Sequence, residues 1–313
     1  LGVTPEQIHS QVGSFGIPEF GTKFVRGMLV DTKPTTFDEL IRISGLSHGT
    51  DVWLGNAQTL IDQGVVTLQD AICCRDDIMI YLIKKGVPPN HAFKIMETVR
   101  KGKALKDPAK WEEYKAMMKE HDVPDWYIKS CEKIKYMFPK AHAAAYVTNA
   151  FRIAWFKVHM PLAYYAAFFS IRGKDDFDSD CMIFGKEKVK NKMKEIDLLG
   201  NNATQKDKTM YPILELVLEM YERGFNFLPM DLYESDATKF KIQDGALRPP
   251  LNSIPGLGTV AALGIAEARK EGKFMSIDDL KIRAKVGNSV TDVLKNYGCL
   301  KGMSQSNQMS LFA

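Results

Sequence analysis

The sequence lacks the cysteine spacing and the long apolar runs that define several classes of protein. Its five cysteines are odd in number and none forms a Cys-x-x-Cys pair, which argues against both a disulfide framework and a zinc site. The most hydrophobic stretch, 150–171, is interrupted by Arg152, Lys157, His159 and Pro161, so no membrane span is expected. We therefore expect a soluble protein of a reducing, cytoplasmic compartment that has no membrane partner.

A large excess of charge of one sign is also missing, although one region is basic. The 42 Lys and Arg residues exceed the 38 Asp and Glu residues only slightly, and a net charge of +4 does not by itself indicate nucleic-acid binding. Residues 84–140, however, contain 14 basic and 8 acidic residues and so form a positive region. The chain begins at Leu1 without an initiator Met, and we expect it to be a C-terminal fragment of a longer protein.

Start and stop signals at short intervals predict a mainly α fold with many short helices. Thr36 and Glu39 have the spacing of a capping box, and the helix that they open is expected to end at Gly45. A longer helix is expected from Pro139 to about His159, because apolar residues recur there at helical spacing. The other predicted helix boundaries are Asp107–Pro108 and Pro124–Asp125 at starts, and Gly64, Gly86 and Gly102 at ends.

The composition of 313 residues, 45% hydrophobic and 26% charged, is typical of a globular protein with two domains. We place the boundary after Ile171, where residues 172–180 read as a solvated acidic connector. The second domain is expected to contain basic and apolar helices, a β-hairpin at Asp244–Gly245 and a helix-hairpin-helix element. The predicted divisions are 1–171, 172–302 and a flexible tail, 303–313.

Segment 133–146 carries the most informative chemistry in the sequence. Three lysines, two tyrosines and a histidine surround the helix start at Pro139. Unpaired amides and the helix dipole favour an anion there, and Lys140 adds a full positive charge. His142 and Tyr146 are four residues apart and share one helix face. The pattern favours a nucleotide site, while the alternative is a solvated basic face with packed aromatic residues.

The order Lys-x-x-Tyr-x-Phe-Pro-Lys-x-His-Ala-x-x-Tyr in this segment resembles the fingers motif of the C-family bacterial replicative polymerases of the PolC type. Segments 16–22, 43–57, 75–79 and 94–103 are similar to the same fingers domain, so the resemblance extends over essentially the whole chain. It implies that residues 1–171 are the nucleotide-binding fingers and 172–302 the duplex-binding domain of a DNA-directed DNA polymerase, a nucleotidyltransferase.

The resemblance also implies which side chains meet the incoming deoxynucleoside triphosphate. Arg75, Lys140 and His142 would lie near its phosphates and Tyr136 at its sugar or base. Ser47 and His48 would lie on a nearby loop. A guanine-nucleotide-like inhibitor is an implied ligand of the same site. The candidate nucleotide-binding residues are Ser47, His48, Arg75, Lys133, Tyr136, Lys140, His142 and Tyr146.

Two of these candidates also have structural alternatives. Arg75 could instead form a helix-surface ion pair with Asp76 or Asp77. For His48, a hydrogen bond that stabilises a turn is the stronger alternative.

Phosphoryl transfer by a polymerase needs two divalent metal ions held by close carboxylates. The resemblance implies that Mg²⁺ is bound by palm aspartates upstream of Leu1, so this fragment is expected to have no catalytic residue, no metal site and no activity alone. Asp175, Asp176, Asp178 and Asp180 could be mistaken for a metal site. We interpret them as a solvated linker, because no predicted strand would hold two of the carboxylates rigid.

Residues 254–259 read as a helix-hairpin-helix turn, with Gly256, Gly258 and Thr259 as candidate DNA-binding residues. The glycines allow backbone amides to form a nest over a DNA phosphate, and the next helix directs its N-terminus at the same group. Such recognition is independent of sequence. An ordinary glycine-rich turn is the alternative, and 286–289 could be a degenerate second copy.

The end of the chain resembles the short peptide by which bacterial polymerases bind the sliding clamp. Gln308 would hold one end while Leu311 and Phe312 fill an apolar pocket, and Met309 stands where Leu is more usual. The implied partners are primer-template DNA, the sliding clamp and other replisome subunits. The competing interpretation is a non-catalytic DNA-binding and clamp-docking accessory protein.

Overall fold

The computed structural model describes residues 1–306, and the predicted clamp-binding residues Gln308, Met309, Leu311 and Phe312 lie outside this range. The described residues form 16 α-helices and one antiparallel pair of short strands, which confirms the predicted mainly α fold with its small hairpin. The elements are α1 (Pro5–Ile8), α2 (Lys23–Thr32), α3 (Phe37–His48), α4 (Gln58–Asp62), α5 (Arg75–Lys84), α6 (Pro89–Arg100), α7 (Pro108–Glu120), α8 (Asp125–Lys133), α9 (Lys140–His159), α10 (Pro161–Ile171), α11 (Ser179–Met182), α12 (Lys186–Leu199), α13 (Gln205–Glu222), β1 (Lys241–Gln243), β2 (Ala246–Arg248), α14 (Thr259–Ala268), α15 (Ile277–Ala284) and α16 (Asn288–Asn296).

Helix α3 begins where the sequence predicts but runs past its expected end. Thr36 and Glu39 form the predicted capping box, with each side chain accepting a hydrogen bond from the other residue's backbone N–H. Gly45 was expected to terminate the helix, and this prediction is wrong, because α3 continues to His48. A Cβ at Gly45 would lie 2.7 Å from the backbone oxygen of Cys73. The glycine therefore serves close packing of α3 on the chain before α5 rather than helix termination.

The most apolar stretch of the sequence folds as the end of α9 and the whole of α10. Helix α9 spans Lys140–His159, as predicted, and Pro161 is the first residue of α10. Within residues 1–306, no helix is at once long and apolar enough to span a bilayer.

The chain folds as two compact units, which we call the first and second unit. The first is Ile17–Ile153, and the second combines Leu1–Gly16 with the residues from Ala154 onward. In the first unit, α5 and α6 pack together through a left-handed turn at Gly86. Its core contains Ile43, Leu46, Ile78, Leu82, Ile95, Val99, Met118, Tyr127 and Cys131.

A buried ionic network joins the start of the chain to α9, α10 and α13 in the second unit. The Lys157 ammonium donates hydrogen bonds to the backbone oxygens of Gly13 (2.9 Å) and Phe15 (2.7 Å) and to the Glu219 carboxylate (2.8 Å). The Tyr165 hydroxyl donates to the other oxygen of Glu219 (2.7 Å). Burial, followed by the charge of Glu219, raises the pKa of Tyr165, so the phenol remains a donor. These contacts explain why residues 1–16 fold with the later part of the chain.

The compact units do not divide at residue 171, where the composition changes. Residues 172–180 are not a freely solvated connector, because Phe177 and Ser179 are buried. The Phe177 ring packs at 4.8 Å from Phe240 and 5.3 Å from Phe169, and the Ser179 hydroxyl donates to that of Ser253 (3.0 Å). Exposed or half-buried aspartates therefore alternate here with Phe177 and Ser179, which belong to the core of the second unit.

Residues 304 and 305, which were expected to belong to a flexible tail, are hydrogen-bonded to α15. The backbone N–H groups of Ile277 and Asp278, in the first turn of α15, donate to the carbonyl oxygens of Ser304 (3.0 Å) and Gln305 (3.1 Å). Residues 304 and 305 thus satisfy amides that a helix start leaves unpaired.

Candidate nucleotide and DNA binding sites

The corner formed by Phe138, Pro139 and Lys140, hereafter the 138–140 corner, lies in the first unit and is fixed by backbone hydrogen bonds. The Arg75 N–H, at the start of α5, donates to the Phe138 oxygen (3.1 Å). Two residues before the corner, the Tyr136 oxygen accepts from the Thr50 N–H (2.9 Å). The corner therefore connects three segments that are distant in sequence, namely the end of α3, the start of α5 and the start of α9.

Four aromatic or imidazole rings follow one another across this corner. His48 stacks on Phe138 with ring centroids 5.0 Å apart, Phe138 meets His142 edge-on at 4.8 Å, and His142 lies 4.5 Å from Tyr146. The Tyr146 and Tyr136 side chains remain 48% and 45% exposed. The ring row and the two exposed tyrosines supply flat surfaces against which a base or sugar could pack.

Ser47 and His48 were expected on a loop, and this expectation is wrong because they are the last two residues of α3. The Ser47 hydroxyl donates to the Ser44 carbonyl (3.0 Å), and Nδ1 of His48 lies 2.9 Å from the same carbonyl. Nε2 of His48 lies 3.2 Å from the Glu19 carboxylate. The polar atoms of His48 thus already have protein partners, while its ring face forms part of the row.

Carboxylates surround the positive charge of the corner. The backbone N–H of Lys140 donates to the Asp76 carboxylate (2.7 Å), and its ammonium lies 3.4 Å from Asp38 and 3.9 Å from Asp77. Burial alone would raise the pKa of Asp38, but its bond to Arg42 and the charge of Lys140 together lower it. The sequence pattern suggested an uncompensated positive corner, whereas the structure balances it with acids from α3 and α5.

Neither Arg75 nor Lys133 has a carboxylate partner within residues 1–306. The Arg75 guanidinium, although partly buried, makes no ion pair within residues 1–306, so the expected alternative of a pair with Asp76 or Asp77 is not observed. The exposed Lys133 ammonium donates to the neutral carbonyl of Gly55 (2.7 Å). Both cations therefore keep a net charge that could meet a phosphate.

Sequence reasoning missed Asp76 as part of the site, because it considered this residue only as a partner of Arg75. An acidic residue at the second position of a helix ordinarily interacts with its own helix dipole. The contact of Asp76 with Lys140, 64 positions away, leaves no signal in the spacing of a single sequence.

The helix-hairpin-helix turn in the second unit alternates buried and exposed residues. Ile254 and Leu257 are buried in the local core, whereas Gly256, Gly258 and Thr259 are exposed. Gly256 has a left-handed backbone (φ +88°), and a Cβ at Gly258 would meet no atom within 4 Å. The buried pair holds the turn, and the glycines leave the amides at the start of α14 open to an approaching phosphate.

The possible second copy of this turn has a comparable outline. Lys285 adopts a left-handed conformation after α15, Val286 is buried, and Gly287 is the exposed N-cap of α16. The side chain of Val293 in α16 would lie 3.4 Å from a Cβ at Gly256, so α16 supports the first turn.

The lysines of α12 are largely paired within the protein. Lys186 and Lys190 lie 3.3 and 2.8 Å from Glu222, and Lys192 lies 3.8 Å from Asp207. Lys188 covers the Phe184 ring at 4.7 Å. This helix therefore offers less free positive charge to DNA than its sequence suggests.

Three of the four aspartates of 175–180 are each engaged by a different group. Asp176 accepts a hydrogen bond from Thr209, Asp178 caps α11 and Asp180 accepts one from the Tyr297 hydroxyl. Within residues 1–306, no group of three His, Cys, Asp or Glu side chains is arranged to hold a metal ion.

Comparison with known proteins gives consistent matches along the chain. Residues 6–122 match the bacterial DNA polymerase III alpha subunit finger domain, and residues 224–310 match the helix-hairpin-helix motif. Relatives named DNA polymerase III PolC-type from Oceanobacillus iheyensis, Clostridium perfringens and Bacillus subtilis are 58%, 57% and 58% identical over 312 residues. These alignments cover 100% of this chain and 21% of each relative, so the chain spans about a fifth of the length of these curated relatives. Segment 133–146 lies between the two family matches but within the full-length similarity.

Proposed function

Because this chain belongs to the C-family bacterial replicative polymerases of the PolC type, we propose that it forms the fingers and the duplex-binding part of a longer DNA-directed DNA polymerase. In that protein, the 138–140 corner receives the incoming deoxynucleoside triphosphate. The proposal places polymerisation in the bacterial cytoplasm, with Mg²⁺ held by carboxylates outside this chain. The chain alone would bind nucleotide weakly and would not polymerise.

The observation that carries the nucleotide assignment is the meeting of a ring row with two cations at one corner. The Arg75 guanidinium makes no ion pair within residues 1–306. Lys140 is the first residue of α9, and His142 and Tyr146 lie in contact on the same helix. The amides of Ala141 and His142, at the second and third positions of α9, have no acceptor within residues 1–306. Phosphates would meet the cations and these amides, while the base or sugar packs against Tyr136.

Substitutions in the full-length polymerase that contains this chain test this assignment. Lys140→Ala and His142→Ala should each raise the KM for deoxynucleoside triphosphate about tenfold or more, as expected for a lost charge-assisted contact. Lys110→Ala, on the exposed face of α7, is the matched control and should leave the KM unchanged. An unchanged KM in both site variants would contradict the nucleotide assignment. A guanine-nucleotide-like inhibitor should compete with the nucleotide, and its affinity should fall in the same two site variants.

We propose that the second unit binds the primer-template duplex through the turn containing Gly256, Gly258 and Thr259. A Cβ at Gly258 has free space and an ordinary φ of −71°, so Gly258→Ala should fold normally yet cover the amides that face a phosphate. Duplex affinity should fall several-fold, to the same extent on unrelated sequences, and should weaken steeply with salt. A strong preference for one sequence would contradict the proposal. Gly27→Ala in α2 provides a control outside the turn, at a position where a Cβ also meets no atom within 4 Å and the φ is not positive.

We also propose that Gln308, Met309, Leu311 and Phe312 bind the sliding clamp. Their deletion should lower processivity on clamp-loaded DNA and leave extension of short primers intact. Equal loss of both activities would contradict a clamp-docking role. A protein that binds duplex and clamp normally but shows no nucleotide dependence at the 138–140 corner would instead be an accessory protein.

A further inference from the structure

We infer that Asp76 is a positioning residue for nucleotide binding, which sets the distance between the side chains of Arg75 and Lys140. This inference rests on the proposed function of the 138–140 corner. Asp76 itself is not placed against the nucleotide. It acts through the backbone of Lys140, whose N–H donates to its carboxylate at 2.7 Å.

The start of α5 and the start of α9 are joined by two reciprocal hydrogen bonds. In one, the Arg75 N–H donates to the Phe138 carbonyl (3.1 Å). In the other, the Lys140 N–H donates to Asp76. Arg75 and Lys140, the two proposed phosphate-binding residues, are therefore the donors of the two hydrogen bonds that join the starts of α5 and α9.

Two hydrogen bonds between the starts of α5 and α9 restrain their relative position more tightly than one bond would. Without the Asp76 bond, the Arg75–Phe138 bond would still hold the corner to α5, but the Lys140 backbone would lose its own hydrogen bond to that helix. The Asp76 bond therefore restricts the position from which the Lys140 side chain extends. Because a displacement of about 1 Å at a binding group can change a rate by on the order of 100-fold, the second bond is expected to matter for the nucleotide rather than only for the fold.

The neighbouring acids Asp77 and Asp38 make their shorter hydrogen bonds with other groups. Asp77 accepts hydrogen bonds from the amides of Cys73 (3.2 Å) and Cys74 (2.8 Å) and so caps its own helix. Asp38 is bonded to Arg42 one turn later in α3 (2.8 Å). Among residues 1–306, the Asp76 carboxylate has its hydrogen bond with Lys140 and no other. Asp76 accepts the hydrogen bond of the Lys140 backbone N–H, whereas Asp77 lies 3.9 Å from the Lys140 ammonium.

A double-mutant cycle in the full-length polymerase tests the inference. Asp76→Ala should raise the KM for deoxynucleoside triphosphate about tenfold with a smaller change in kcat. Asp76→Asn retains an oxygen that can accept the Lys140 N–H, and should keep the KM within about threefold of the original. In a Lys140→Ala background, Asp76→Ala should add little further, because the side chain that it positions is gone. Asp125→Ala removes an acid from the first turn of α8 and should change none of these values.

The outcomes separate this inference from the proposed function. If Lys140→Ala raises the KM but Asp76→Ala leaves it unchanged or lowers it, the positioning role is wrong while the nucleotide site stands. Independent, multiplicative effects of Asp76→Ala and Lys140→Ala would also overturn the positioning role. If Lys140→Ala itself leaves the KM unchanged, both proposals fail. Thermal melting of each variant identifies a KM change that merely follows unfolding, and failure of Asp76→Asn to restore the KM in a folded protein would count against the inference.

Discussion

Replacing Lys157 by methionine is expected to destabilise the second unit severely, because it leaves a carboxylate buried without its counter-ion. The Lys157 side chain is 2% exposed and that of Glu219 is 0% exposed. The ammonium also satisfies the backbone oxygens of Gly13 and Phe15. Methionine fills a similar volume but donates no hydrogen bond to any of these three acceptors.

The expected loss follows from the burial of the pair. Breaking a buried ion pair by removing one partner typically costs about 3–5 kcal/mol, mostly from the charge that is left uncompensated. The two abandoned carbonyl oxygens add to this cost unless water reaches them. For a domain of this size, 1 kcal/mol lowers the melting temperature by about 2–4 °C, so the midpoint should fall by on the order of 10 °C.

Thermal and urea unfolding of the 313-residue chain measures this loss. Lys270→Met is the matched control, since Lys270 and Glu267 form an ion pair whose side chains are 69% and 75% exposed, and exposed pairs contribute about 0–1 kcal/mol. In the double variant Lys157→Met, Glu219→Leu, part of the loss should be recovered because no charge remains buried. A loss below about 1 kcal/mol for Lys157→Met, or a larger loss for Lys270→Met, would refute the reasoning.

Three further predictions concern local structure. In urea unfolding, Gly102→Ala should lower the free energy of unfolding clearly more than Gly64→Ala. Both glycines have a left-handed φ, but a Cβ at Gly102 would lie 2.5 Å from the backbone oxygen of Lys135, whereas one at Gly64 would meet no atom within 4 Å. Equal losses would contradict this. Thr36→Ala should lower stability by about 1 kcal/mol through loss of the N-cap, and an unchanged unfolding midpoint would argue against the capping box. Burial, then neighbouring carboxylates, raises the pKa of Cys74 to about 12, so its thiolate should be scarce at pH 8 and alkylation followed by mass spectrometry should modify it only on unfolding. Rapid labelling of the folded protein would contradict that assignment.

Much of the candidate site was visible in the sequence because it lies within short segments. The helix start after Pro139, the shared face of His142 and Tyr146, and the exposed glycine turn at Gly256 and Gly258 depend on contacts within a few residues, and the structure has each of these local features. What these local features bind stays a prediction.

The errors in prediction arise where a distant segment overrides a local signal. Gly45 looked like a helix end because glycine commonly follows one, but the residue serves the approach of the chain at Cys73. The aspartates of 172–180 looked like a connector because charge marks solvent exposure, but Phe177 between them packs into the core. Local composition does not report what lies opposite a residue in space.

The sequence by itself determined the fold class, the family and those helix boundaries that capping residues mark, because propensity, capping and motif order act over short stretches of chain. Only the tertiary structure decided how the corner is built and how its charge is balanced. Asp38, Asp76 and Lys140 come from three separate helices, and electrostatic energy depends on their distances in space. Those distances are set by helix packing, which no spacing within one sequence records.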